Sequence, residues 1–149
     1  MARSDRRQTA GPTTKQRSFR WSLDIFEELD ASAVEVAVSP NALGERIMAE
    51  GLRMMHNPLI HFREDPVGRR RAAVVGTRVY VYQAVETIRA SDNSLSDAAE
   101  YLGISRAQID AVAAYYSQYC DEVDADAAEA QRYADIERER WERAQRAFA

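Results

Sequence analysis

Between residues 18 and 23 apolar and polar positions alternate. Phe19, Trp21 and Leu23 fall on one side and Ser18, Arg20 and Ser22 on the other, the period-two pattern of a short strand with one polar face. From there the period changes. Asp24 is placed to cap a helix in which Ile25, Phe26, Leu29, Ala33, Val36 and Ala37 recur at three- and four-residue spacing, ending near Val38. Ser39 followed by Pro40, a capping hydroxyl and then a proline at the first helical position, opens a second helix running to about Met55. His56-Asn57-Pro58 breaks it, and Leu59-Ile60-His61-Phe62 begins a hairpin that turns at Pro66-Val67-Gly68 and returns over residues 72–75. Helical spacing resumes over residues 82–90. Ser96 then caps a short helix to Leu102, Gly103 ends it in a left-handed conformation, and Ser105 caps a longer helix holding Ile109, Val112, Ala113, Tyr116 and Tyr119. Helix, glycine turn and helix make a helix-turn-helix outline. After Asp121-Glu122 a last helix carries Ala130, Tyr133, Ile136, Trp141, Ala144, Ala147 and Phe148 on one face.

The expected fold is therefore mainly α with short β elements, in four parts: a disordered arm at 1–16, a strand-helix-helix module at 17–56, a hairpin plus helix-turn-helix domain at 57–123, and a C-terminal amphipathic helix at 124–149. A strand-helix-helix unit is too small to bury its own apolar faces, and a lone strand leaves its backbone groups unpaired. The same strand of a second copy is the simplest partner, so a homodimer through this module is expected.

Charge sharpens the picture. The chain of 149 residues has net charge −4, but residues 1–20 hold six basic side chains against one acidic, a basic arm on an acidic body. Such an arm beside a folded element suits nucleic acid phosphates, or is a solvated tail. One cysteine, Cys120, precludes an internal disulfide, and with only His56 and His61 there is little from which to build a metal site, so neither metal nor cofactor is expected. The sequence shows no apolar run long enough for a membrane span or a signal peptide, which makes a cytoplasmic protein without membrane association the default expectation.

The stretch over residues 17–55, with Ser-Phe-Arg-Trp-Ser-Leu, Glu-Glu-Leu-Asp and Val-Ser-Pro-Asn-Ala-Leu, resembles the ribbon-helix-helix DNA-binding family of the Arc, MetJ and CopG type. Two strands there pair antiparallel and enter the major groove. The resemblance implies DNA contacts from Arg17, Ser18, Arg20 and Ser22, with Arg20 the side chain suited to a guanine edge. It also implies that Ser39 and Asn41, at the start of the second helix, hold a phosphate. Trp21 stands where smaller aliphatics are commoner, and Pro40 replaces a usual polar or basic residue.

Residues 58–123, with Ile60, Phe62, Gly68, Gly76-Thr77-Arg78-Val79 and the Tyr115-Tyr116 pair, resemble a small bacterial domain found in VapB-type antitoxins. The combination implies an antitoxin that neutralises a PIN-like ribonuclease toxin and represses its own operon by binding operator DNA as a dimer. It further implies that the C-terminal stripe lies in a toxin groove through Tyr133, Ile136, Trp141 and Phe148, while Arg138, Arg140 or Arg143 offsets the metal-holding carboxylates of the nuclease. On the residues alone, the stripe could equally pack on its own domain or on a dimer mate. A stand-alone ribbon-helix-helix regulator, or an interaction module without DNA binding, is the alternative. Only Arg106 is basic in the helix-turn-helix, where Asp97, Glu100 and Asp110 would repel phosphate, so packing is its expected role. The run Arg69-Arg70-Arg71 could hold nucleic acid or an acidic partner, or be a solvated turn, and Arg78 could pair with a carboxylate at the base of the hairpin. No nucleophile-base pair or phosphate loop stands out. Glu64-Asp65 near His61 is the sole candidate acid/base group, so no enzyme is expected and no catalytic residue assigned.

Overall fold

A computed structural model of the chain describes residues 14–148. The basic arm expected at 1–16 lies outside the described residues as far as residue 13. The described elements are α1 (Leu23–Glu35), α2 (Pro40–His56), β1 (Ile60–Glu64), β2 (Arg70–Val74), α3 (Val81–Ala90), α4 (Leu95–Leu102) and α5 (Arg106–Arg146). The chain is mainly helical with one small two-stranded antiparallel sheet, and it divides into two compact units, Met1–Gly44 and Glu45–Ala149. The division falls within α2.

In the first unit the strand expected at residues 18–23 does not form: residues 14–22 have no regular secondary structure, and Leu23 already belongs to α1. The reason is local. Ser22, with φ −63° and ψ 153°, takes the N-cap position and Asp24 falls in the first turn instead, while a strand within one chain has no neighbour to bond. Alternation nevertheless leaves Phe19 and Trp21 on one side, their rings edge-to-face at 6.2 Å. α1 stops earlier than its apolar spacing suggests. Ala37 adopts a left-handed φ of 54°, its amide bonds to the Val34 carbonyl (3.2 Å), and the Val38 amide bonds to the Ala33 carbonyl (3.0 Å), which is a Schellman cap built on alanine. Ser39 then caps α2 as the sequence indicates, its Oγ accepting the Ala42 amide at 3.2 Å.

The second unit holds the main core, where Ile60, Ala72 and Val74 of the hairpin meet Val81, Ala84 and Val85 of α3, Ala98 and Ala99 of α4, and Ile109, Val112, Tyr115 and Val123 of α5. The hairpin pairs Ile60 with Val74 and Glu64 with Arg70, so the return strand begins two residues before the expected Ala72 and takes in Arg70 and Arg71. Its turn is closed by Asp65, whose Oδ1 accepts the Val67 and Arg69 amides, and by Gly68 at φ 79°. The Gly-Thr-Arg element is a second turn. Gly76 is left-handed, Thr77 Oγ1 donates to the Val74 carbonyl (2.9 Å) and accepts the Val79 amide (3.0 Å), and the Arg78 carbonyl accepts from the Arg63 guanidinium. Arg78 itself is exposed and makes no carboxylate pair among the described residues, so the pairing that the sequence left open is not seen there.

Gln108 locks this turn to α5. Its Oε1 accepts the Ser105 amide (2.7 Å) in a capping box, and its Nε2 donates to the Val75 carbonyl (2.9 Å). The cap of α4 is Ser94 rather than the expected Ser96, because Ser94 is the hydroxyl three residues before the Asp97 amide that it accepts (3.2 Å). Gly103 ends α4 left-handed at φ 64°, as expected. The longer helix and the C-terminal helix, expected separately on either side of residue 123, are one 41-residue element kinked at Tyr119.

Candidate functional site

The residues expected to meet DNA all lie in the first unit. Arg17, Ser18, Arg20 and Ser22 occupy the irregular lead-in to α1, and Ser39 and Asn41 stand at the start of α2; every one of the six is exposed. At that helix start Pro40 has no amide proton and the Ala42 amide is taken by Ser39 Oγ, so the Asn41 amide is the first-turn donor left for a phosphate.

Next to these polar groups lies a large apolar surface. Phe19, Trp21, Ile25, Phe26, Val34 and Val36 are each more than two-fifths exposed, and Ala33 is the only fully buried residue of α1. In α2 only Leu43 is buried, while Ile47, Met48, Leu52 and Met55 face solvent. Exposed apolar side chains in such number within the first unit are what an association surface offers.

The second candidate region is the end of α5. From Gln131 to Phe148 every residue except Asp135 is exposed, including Tyr133, Ile136, Trp141 and Phe148. Of the tail arginines, Arg138 pairs with Asp135 at 2.7 Å and Arg140 with Glu137 at 2.6 Å, one turn away in each case, and Arg143 has no ion-pair partner among the described residues.

Within the second unit the structure assembles a cluster that sequence reasoning did not find. Arg71 is 2% exposed. Its Nε donates to Asp65 Oδ2 (2.6 Å), its Nη1 to Asp126 Oδ1 (2.7 Å) and the Asp126 carbonyl (3.1 Å), and its Nη2 to Glu129 Oε2 (3.1 Å). Arg69 pairs with the other Glu129 oxygen at 2.7 Å, and Arg70 grips Glu50 through two bonds of 2.7 Å. All three guanidinium groups are engaged within the second unit, Arg71 buried and Arg69 and Arg70 still exposed. The signal was present, since Glu122, Asp126 and Glu129 recur at four- and three-residue spacing on one helix face.

Burial works to raise the pKa of Asp65, but Arg71 and the two turn amides outweigh it and hold the carboxyl below the usual aspartate value. At Asp126 burial wins, and its value lies above the usual one despite Arg71. With both oxygens engaged, Asp65 is not placed to act as a base with His61, whose own value is lowered by burial and then by the Arg63 charge.

A second arginine cluster surrounds Tyr115. Arg53 Nη1 donates to both Glu122 oxygens (2.6 and 2.7 Å) and to the Tyr115 hydroxyl (3.3 Å), with the guanidinium 4.4 Å above the Tyr119 ring. Burial and then the Glu122 charge push the Tyr115 hydroxyl up to about 12.

Among the described residues no cluster of His, Cys, Asp and Glu is arranged to hold a metal ion, and no helix is long and apolar enough to cross a membrane. Comparison with protein-family models, with curated proteins and with solved structures gives no match.

Proposed function

We propose that the chain is a dimeric DNA-binding antitoxin of the type II kind. Its first unit pairs with that of a second copy, presenting Arg17, Ser18, Arg20 and Ser22 to operator DNA, while the far end of α5 occupies a groove on a PIN-like ribonuclease and neutralises it. The observation that carries this reading is the pair of exposed apolar surfaces near the two ends of the chain, one flanked by Ser18, Arg20 and Ser22 and the other on the tail of α5. An unpaired alternating segment beside exposed Phe19, Trp21, Ile25 and Phe26 suits antiparallel pairing with itself, which would satisfy the backbone and cover the aromatics together. The stripe of Ile136, Trp141 and Phe148 suits helix-in-groove binding.

The test is to tag the chain in its native cell and identify what co-purifies at moderate salt, alongside binding of its own upstream DNA. A stoichiometric nuclease-like partner and salt-sensitive affinity for that DNA are expected. Recovery of the dimer and upstream DNA alone would favour a stand-alone regulator, and no affinity for any duplex would overturn the DNA-binding half.

A further inference from the structure

The long helix α5 changes character at Tyr119, where the backbone leaves helical geometry at φ −131° and ψ 37°. Before that point Ile109, Val112 and Tyr115 anchor it in the core, whereas from residue 120 to 130 Val123 alone is buried. A cause of the kink lies a turn earlier. The Ala114 carbonyl accepts bonds from the Ser117 hydroxyl (2.7 Å) and the Gln118 side-chain amide (3.1 Å), and side-chain donors on a helix carbonyl bend the helix.

What holds the segment past the kink is charge. Arg53 of α2 binds Glu122 (2.6 Å), Arg71 of β2 binds Asp126 (2.7 Å) and Glu129 (3.1 Å), and Arg69 of the hairpin turn binds Glu129 (2.7 Å). On the opposite side of the helix Arg89 of α3 binds Asp124 at 2.9 Å. Four arginines, from α2, the hairpin and α3, thus straddle one helical segment that contributes a single buried apolar side chain.

We infer that the part of α5 beyond Tyr119 is a hinged arm, latched to the body by Arg53, Arg69, Arg71 and Arg89, and that these ion pairs set the direction in which the apolar stripe is presented. The consequence for partner binding rests on the function proposed above; the hinge and its latch do not. The latch has two grades. The pairs of Arg53, Arg69 and Arg89 are partly exposed and weaken as salt rises, while the Arg71 side chain is 1% exposed and its pairs are shielded from screening.

The experiment places spin labels at Glu100→Cys and Gln145→Cys in a Cys120→Ser background, diluted with unlabelled chain so that distances within one chain are read. Asp126→Asn with Glu129→Gln removes the arm's half of the Arg71 and Arg69 latches while leaving the Arg71–Asp65 pair in the hairpin. At low salt the distance distribution is expected to be narrow in the otherwise unaltered chain and at least about twofold broader in the double variant, while 1 M salt broadens the former by less, because it weakens only the exposed pairs. Arg89→Gln, at a pair where both side chains are about half exposed, gives a smaller broadening and serves if the double variant fails to fold. A control at Asp135→Asn with Glu137→Gln, beyond the latch, stays narrow. A distribution equally narrow with and without the latch residues overturns the inference, and so does one already broad in the intact chain.

Discussion

Arg71 reaches across the turn of its own hairpin to Asp65, with Nε 2.6 Å from Oδ2, while the opposite edge of the same guanidinium holds Asp126 and Glu129 of α5. One buried cation therefore closes a turn and docks a helix. Burying it is tolerable because its donors meet acceptors on every side and Tyr82 lies 5.6 Å from its charge centre.

Arg71→Gln is expected to destabilise the chain by about 3 to 5 kcal/mol, because it leaves three neighbouring carboxylates without their common counter-charge. Arg71→Lys should recover only part of this, since an ammonium cannot span the same set of acceptors. Urea denaturation followed by far-UV circular dichroism reads both. A loss below about 1 kcal/mol for Arg71→Gln would show that the cluster is dispensable.

The folded state holds Asp65 below the ordinary aspartate value of 3.8, so its contribution is fully present above that value and is lost as pH falls through the lower folded value. Asp126, held above 3.8, acts in the opposite sense: its ionisation opposes folding, and protonation relieves that as pH falls through the raised value. The expected outcome is a stability curve that declines in acid below about pH 4. Asp65→Asn flattens that limb at the cost of lower stability at neutral pH, and Asp126→Asn does not flatten it. An acid limb unchanged by Asp65→Asn would contradict the assignment.

At the alkaline end Tyr115 matters. Its value is raised from 10.0 to about 12, so the stability it contributes is present below pH 10 and lost as pH rises toward 12. Tyr115→Phe should remove this dependence, at some cost in stability from the lost bond to Arg53. Titration of tyrosine absorbance at high pH checks which hydroxyl resists ionisation.

Ala37 carries a left-handed conformation for which glycine is better suited. Ala37→Gly is expected to stabilise the first unit by about 0.5 to 1 kcal/mol, the relief of strain exceeding the added freedom of the unfolded chain. Thermal denaturation reads it as a higher Tm. A lower Tm would mean that the alanine methyl is needed by a neighbour.

Much of this was legible in the sequence where a local rule settles the matter. Ser39-Pro40, Gly103 and Ser105 each punctuate a helix through their own backbone chemistry, and the structure uses them as the pattern indicates. The same rules failed elsewhere. Ser94 outranked Ser96 by its spacing to Asp97, Ala37 took a conformation usually read from glycine, and residues 18–22 form no strand despite their alternation. The arginine run looked like surface because charge seldom goes inside. What buries Arg71 is Asp126 and Glu129, more than fifty residues away, and periodicity within a single element does not reveal such a meeting.

Native mass spectrometry of the chain co-expressed with the product of its neighbouring gene tests the proposed division of labour most directly. The intact chain should appear as a dimer carrying the partner. Deletion of residues 131–149, beyond the last arginine latch at Glu129, should release the partner and leave the dimer, while Arg20→Ala should keep both and lose upstream DNA. A monomeric chain, or a partner still bound after the deletion, would contradict it.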